Sequence, residues 1–573
     1  MNFRIITIIP ITIFLGILSL ICFYFSSNLV FIYFFIESSF PQIEWGLFYF
    51  TIQKIFLING ILFFILGLIT YYIEFNRSIN LLTILIKTIQ APKSIFIKAY
   101  HIYINNSPIY LIFLYSTIII GISFRIYNLQ LPITWDAAYT YLNFLDEGIS
   151  EIFNYKTPNN HQFYSIITKL IINILNDNIY TLRLAAIFFG SINLILIFFI
   201  VKYISKKSMG VISSLLMSTL PIIIHYDSVA RGYSIITTCS LLLLLFAFKF
   251  IKTNSLKVFI PMIFISAIGI FTLPTFIFPF FGTTLWFFYH LFVSLRWSFK
   301  KTSSILLIFN FCTFFLSWIF YSPTILFTNG INKLIKNKYI IGEEFGVFPN
   351  DIPQLFYNIS KLFFGQLGVF IVIGIILILL MLLRFNIHKT FSQFIFFQLI
   401  SIIIIICVLQ TIPPERTLLF ILPYFIIGID IFISTIIIKF IPQIFNTKIV
   451  LLSMLIFQII TLIIINSKGK MSSYRGFIEA PVIIEYLAQT PKNSKYFSTY
   501  KGNYQSLKYY SQINQMNYPE LIDTIKLSKL IHTIKNPNIY LVTNKRQKIA
   551  ENNKLFYTVF ENGSTVILKR KIN

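Results

Sequence analysis

Residues 109–127 read IYLIFLYSTIIIGISFRIY, and residues 128–151 continue NLQLPITWDAAYTYLNFLDEGISE. The first stretch is long and apolar enough to cross a hydrocarbon core of about 30 Å as a helix. Backbone amides in lipid find no water, so such a run must satisfy them internally, as a helix does. The second stretch carries Asp136, Asp146, Glu147 and Glu151 and no lysine or arginine. An apolar span that opens into an acidic loop sets an orientation as well as a fold class, because cytoplasmic loops collect lysine and arginine.

The same alternation runs through the chain. Of its 573 residues, 57% are hydrophobic and only 12% charged, against roughly 25% charged in soluble domains. Apolar runs of spanning length recur from Ile5 to Ser467. They do not alternate with period two, which excludes an outer-membrane barrel. Every second junction is basic: Arg4, then Arg77 to Lys98, Lys202 to Lys207, Lys249 to Lys257, Arg296 to Lys301, Arg384 to Lys389, and Lys439 with Lys448. This spacing predicts an all-α polytopic membrane protein of about thirteen spans in the cell membrane, with a cytoplasmic N-terminus. The loop at Asp136 and everything after Ser467 then lie on the extracytoplasmic side. The first run is too long for a signal peptide and leads into Phe23, Tyr24 and Phe25 instead of a small-residue cleavage site, so it is expected to be retained.

The net charge of +26 fits basic inner loops against anionic membrane lipids, and no nucleic-acid partner is expected. Cys22, Cys239, Cys312 and Cys407 all sit in apolar runs without CxxC or metal spacing, so neither a disulfide framework nor a zinc site is indicated.

Residues 468–573 are polar and hold no spanning run. Val482, Ile483, Tyr486 and Leu487 share one side of a helical segment at 481–489. Residues 538–543 and 565–568 read as short strands, and Asn562-Gly563 as the turn of a hairpin that begins at 557–560. A small extracytoplasmic α/β domain is expected here. Three regions result: 1–108, with two spans and a basic cytoplasmic segment; 109–467, the membrane core; and 468–573, the C-terminal domain.

Short outer loops should be poor in arginine, and two break the rule. One holds Arg231, in His225-Tyr226-Asp227-Ser228-Val229-Ala230-Arg231-Gly232-Tyr233; the other holds Arg416, in Pro413-Pro414-Glu415-Arg416-Thr417. The acidic loop adds Trp135-Asp136-Ala137-Ala138-Tyr139 and Asn159-Asn160-His161. A carboxylate to accept a proton and guanidiniums to hold a phosphate leaving group, gathered at one membrane face, suit chemistry on a phosphate-bearing substrate. Each residue also has a plainer reading: Asp136 as a solvated loop acid, His161 as a helix cap, the arginines as side chains snorkelling to lipid phosphates.

In order and spacing these pieces resemble the GT-C superfamily of glycosyltransferases that use polyprenyl-phosphate sugars, in the branch of protein O-mannosyltransferases and lipid A aminoarabinose transferase. The resemblance covers roughly 109–467. It also takes in Leu182-Arg183 through Gly190, Phe271-Thr272-Leu273-Pro274-Thr275 and Leu422-Pro423. It implies inverting transfer from a polyprenyl-phosphate-linked sugar donor to an extracytoplasmic glycan, lipid or protein acceptor. Asp136 and Asp227 are the implied catalytic carboxylates, with His161, Arg183, Arg231, Tyr233, Glu415 and Arg416 binding substrate. No cofactor is named, and a divalent cation is left open. The family often has Asp-Glu where this chain has Asp136-Ala137, Ser-Gln-Glu before the Ala-Arg-Gly-Tyr motif, and proline where Gln162 stands. The alternative reading is a transporter or flippase of a lipid-linked glycan, which would call for ionisable residues inside spans; Asp430 is the clearest of these.

Overall fold

The structure, a computed structural model, describes residues 108–327, 351–440 and 479–570 and part of 54–65, leaving out short stretches at 147, 154–156, 158, 206–209, 385–387, 411, 492, 500, 518, 522–537, 545–555 and 563–564. The expected first and thirteenth spans, most of the second, and the basic segment from Arg77 to Lys98 lie outside the described residues.

Apolar sequence becomes helix throughout the bundle. Helix α1 (Pro108–Tyr127) is followed by α2 (Trp135–Thr140), α3 (Ile149–Phe153) and α4 (Gln162–Leu175). Then come α5 (Thr181–Ile204), α6 (Val211–Thr219), α7 (Pro221–Tyr226), α8 (Tyr233–Thr253), α9 (Phe259–Thr272), α10 (Ile277–Tyr289) and α11 (Phe299–Phe327). The bundle closes with α12 (Ile352–Phe364), α13 (Gly368–Arg384), α14 (Lys389–Leu409) and α15 (Leu422–Phe440).

Among the described residues, eight helical stretches are long and apolar enough to cross a membrane. Three of the thirteen expected spans lie wholly or mostly outside the described residues, and two more depart from a single spanning helix. The expected seventh span is α9, of 14 residues. The expected fifth is broken into α6 and α7 at Leu220, whose extended backbone is what a residue before proline favours. Helix α8 lies at the centre, packed on α5 and α9. Gly121 brings α1 close to α6: a Cβ there would lie 2.6 Å from Ser218 Cβ, the small-residue contact that lets membrane helices approach.

The C-terminal region forms a five-stranded sheet from α16 (Ala480–Ala488), β1 (Lys495–Ser498), α17 (Lys501–Ile513), β2 (Glu520–Leu521), β3 (Ile539–Asn544), β4 (Phe556–Asn562) and β5 (Thr565–Arg570). Strand order is β2-β1-β3-β5-β4. Strands β1, β2 and β3 are parallel, while β5 runs antiparallel to both β3 and β4. The anticipated hairpin is present, with Asn562 opposite Thr565. Ile483, Ile484, Leu487, Leu507, Val542 and Ile567 form a core of its own. The strand β1 and the helix α17, which the sequence reading does not assign, complete the layer. Helix α17 also packs against α2, so the sheet region is docked on the loop that follows α1.

Candidate active site

After α1 the chain turns extended through Leu131 and Thr134. Thr134 caps α2, its hydroxyl accepting from the Ala137 N–H at 3.4 Å, a role short hydroxyl side chains favour. This places Asp136 in the first turn. Its Oδ2 meets Arg416 Nη1 at 3.2 Å, and its Oδ1 accepts from Asn159 Nδ2 at 3.4 Å. The side chains of Arg416 and Asp136 remain 38% and 25% exposed, so a substrate can reach both. Burial pushes the Asp136 carboxyl up, but the guanidiniums of Arg231 and Arg416 and the Asn159 amide outweigh it and hold the pKa below the ordinary value. Asp136 is therefore ionised at neutral pH.

Arg231 lies behind this pair and is 2% exposed. Its Nη1 donates to the Asn159 carbonyl at 3.0 Å, to Thr140 Oγ1 at 3.1 Å and to the Asp136 carbonyl at 3.4 Å. Its Nη2 stands 2.9 Å from His161 Nε2, while the Gly232 N–H donates to His161 Nδ1 at 3.0 Å. Burial first, then Arg231 and Arg416, hold His161 well below its usual pKa, so the ring is neutral and has one lone pair for two donors. Arg231 thus keeps donor capacity in reserve, and its buried Nε has no partner. Gly232 is required at this point: a Cβ would lie 2.7 Å from Thr272 Cγ2 and 3.1 Å from His161 Nδ1. Tyr233 packs edge-on against His161, ring centroids 5.1 Å apart, and against Tyr226 at 4.8 Å. Glu415 accepts from Asn358 Nδ2 of α12 at 2.8 Å, which ties the Pro413–Thr417 turn, and with it Arg416, to the bundle.

Asp136, His161, Arg231, Tyr233 and Arg416 therefore converge, with Glu415 beside them. Arg183 and Asp227 do not. Arg183 donates to the carbonyls of Asn128 at 2.9 Å, Leu129 at 2.7 Å and Pro132 at 2.9 Å, holding the chain that leads to Asp136. Asp227, 3% exposed, is paired with Arg125, whose Nη2 and Nε lie 2.5 and 3.1 Å from one carboxylate oxygen. Gly190 makes room for that carboxylate, since a Cβ there would fall 2.5 Å from Asp227 Cβ. Thr140 and Arg125 are parts that the sequence reading does not single out, and Asn159 is quoted there without a role. Only Arg125 carries a signal, as a lone cation in an apolar run. Among the described residues no three His, Cys, Asp or Glu side chains converge.

Asp430, inside α15, is fully buried. It accepts from the Ser213 N–H at 2.8 Å, the Gly210 N–H at 3.3 Å and Ser434 Oγ at 3.0 Å. It satisfies the otherwise unpaired amides at the start of α6.

No protein-family profile and no curated protein matches the sequence. Solved structures do. The chain is similar to ArnT from Cupriavidus metallidurans in its apo state, at 11% identity over 80% of this chain and 97% of that one, with a TM-score of 0.50. The same ArnT bound to undecaprenyl phosphate matches at a TM-score of 0.47, with 11% identity and the same shares of 80% and 97%. An oligosaccharyltransferase from Archaeoglobus fulgidus, in complex with Zn and sulfate, matches at 0.48, with 12% identity over 75% of this chain and 68% of that one. At such identities the likeness is one of fold. The chain shares its overall fold with ArnT, and the fold is that of a polytopic membrane protein with a small C-terminal sheet region.

Proposed function

We propose that the protein is a membrane glycosyltransferase that moves a sugar from a polyprenyl-phosphate donor to an extracytoplasmic acceptor, with inversion at the anomeric carbon. The observation that carries this reading is the reachable, ionised Asp136, held between Arg416 and Asn159 with Arg231 behind. In a single displacement the acceptor hydroxyl oxygen forms a bond to the anomeric carbon as the bond from that carbon to the phosphate oxygen breaks. The hydroxyl proton passes to Asp136, and the electron pair leaves with the polyprenyl phosphate. A carboxylate is a weak base for a free alcohol, but the hydroxyl acidifies as its oxygen engages the anomeric carbon. Arg416 and the unused donors of Arg231 stabilise the charge that gathers on the departing phosphate.

The fold shared with ArnT supports the donor class, since that protein binds undecaprenyl phosphate. His161 and Tyr233 shape the Arg231 pocket, Glu415 sets Arg416, and Arg183 holds the Asp136 loop. Asp227 acts through packing. On this reading the site faces the extracytoplasmic side, residues 109–467 form the catalytic core and 468–573 form the domain above it. The test is label transfer by purified protein from a panel of undecaprenyl-phosphate-linked hexoses and pentoses, wild type against Asp136→Asn. Equal transfer by the two would remove Asp136 from the mechanism.

A further inference from the structure

The extended segment between α1 and α2 has a backbone problem. Its N–H and C=O groups belong to no helix or strand, yet Ile133 is fully buried, and buried backbone groups need partners. Pro132 has no N–H, and its carbonyl goes to Arg183. The two groups of Ile133 are served from the other side, by α17 of the C-terminal region. The Ile133 N–H donates to Tyr510 Oη at 2.9 Å, and Ser506 Oγ donates to the Ile133 carbonyl at 3.3 Å. The contact continues down the segment: Tyr509 stands edge-on to Tyr141, centroids 5.0 Å apart, and Gln512 Nε2 donates to Asp146 Oδ2 at 2.6 Å. Helix α17 therefore follows the whole stretch from residue 133 to residue 146, with Asp136 three residues after the doubly bonded Ile133.

We infer that α17 is a positioning element for Asp136, and that Tyr510 and Ser506 are its positioning residues, acting through the backbone of Ile133. Arg183 clamps the segment from the membrane core and α17 clamps it from the C-terminal region, so the carboxylate is held in register only when that region is docked. This assignment rests on the role of Asp136 proposed above. A misplacement of about 1 Å in a reacting group can cost on the order of a hundredfold in rate, so a catalytic carboxylate in the first turn of a short helix that is entered through irregular backbone needs such a brace.

The neighbouring tyrosine supplies the control. Tyr509 Oη is buried without a hydrogen-bond partner, so Tyr509→Phe removes an oxygen that bonds to nothing, whereas Tyr510→Phe strands the Ile133 N–H. In the full-length protein, Tyr510→Phe should speed amide hydrogen exchange across 133–146 by about tenfold. It should lower the turnover number by at least about tenfold while leaving affinity for undecaprenyl phosphate unchanged. Tyr509→Phe should alter none of these. Unchanged exchange in Tyr510→Phe, altered exchange with a wild-type turnover number, or an equal loss in Tyr509→Phe would each overturn the inference. A wild-type protein that transfers no sugar from any donor defeats the proposed function by itself; the positioning of Asp136 for transfer falls with it, while the exchange contrast still decides whether Tyr510 braces the loop.

Discussion

Arg125→Met tests whether Asp227 serves packing or chemistry. Arg125 is fully buried and Asp227 is 3% exposed. Beyond the carboxylate, Arg125 donates to the Gly121 carbonyl at 2.8 Å and to the Met217 carbonyl at 3.1 Å. It thus links α1 to the end of α6. Methionine keeps the stem but leaves a buried carboxylate without its cation and the Met217 carbonyl, in the last turn of α6, without its donor; the Gly121 carbonyl keeps the helical Arg125 N–H. Breaking a buried pair from one side costs about 3–5 kcal/mol. Asp227→Asn should fall near the lower end, since the amide keeps one acceptor oxygen but leaves the guanidinium uncompensated. The double variant Arg125→Met/Asp227→Leu removes both charges and should recover much of the loss. Gly190→Ala, which drives a methyl into Asp227, should cost about 1–3 kcal/mol through the same contact.

The assay is thermal unfolding of detergent-purified protein by tryptophan fluorescence, run beside transfer measured well below the transition. All three single variants should unfold earlier by several degrees and transfer sugar in proportion to the folded fraction. An Asp227→Asn protein with wild-type thermal stability and no transfer would refute this account and return Asp227 to the chemistry.

Three further outcomes follow from the site. Asp136→Asn should reduce transfer by about 10²- to 10⁴-fold, the usual loss for a general base, with undecaprenyl phosphate binding largely spared; weakened binding at full turnover would contradict it. In Arg416→Ala the carboxyl of Asp136 loses a cation that holds its pKa down. The ionised form is the active one, so the acidic limb of the kcat/KM profile should move to higher pH, and donor binding should weaken; an acidic limb at the wild-type position would count against the pair. Cysteines at Ser150 and Asn514 should react with an impermeant thiol reagent in intact cells, whereas protection of both until lysis would reverse the proposed orientation. Ser498 is unsuitable for that experiment because β1 buries it.

Membrane helices were legible because lipid forces one solution on an apolar run. The shorter pieces were not. A proline at 221 inside a hydrophobic stretch does not announce whether the helix kinks or breaks, and α9 is apolar but short for a span. Within the site, Arg231 and Arg416 stood out by breaking the charge rule for outer loops, and Asp136 and His161 by lying at the same membrane face. Asp227 stood in the motif of Arg231 and Arg183 in a neighbouring one, but their partners, Arg125 and the 128–132 carbonyls, are 102 and about 50 residues away along the chain. No local pattern distinguishes a carboxylate facing substrate from one facing a buried guanidinium. The hairpin of β4 and β5 was readable from its Asn562-Gly563 turn. Helix α17, whose sequence KGNYQSLKYYSQI is largely polar, was not. It buries Ser506, Leu507, Tyr509 and Ser511 because it is wedged between two other structures, which its own periodicity does not reveal.

The rival reading, a flippase, would need ionisable groups that change partners inside the membrane. Asp430 fails that requirement on geometry: it is held by two backbone N–H groups and a serine hydroxyl, so it works as the cap of α6. Among the described residues, Asp136, Arg231 and Arg416 can exchange partners, and they lie at the loop end of the bundle. At rest Asp136 is neutralised by Arg416, which makes it a poor base. A donor phosphate is a competing anion for the same guanidinium and for the spare donors of Arg231. Once Arg416 turns to the phosphate, Asp136 loses a stabilising cation and becomes more basic, at the moment an acceptor hydroxyl beside it must give up a proton. Under the proposed function, the ion pair that weakens the base in the empty enzyme is what makes its strength depend on a bound donor. The pH profile of Arg416→Ala reads that coupling directly, because in the variant the acidic limb should move less on binding undecaprenyl phosphate than it does in the wild type, with Arg231 left as the cation beside Asp136.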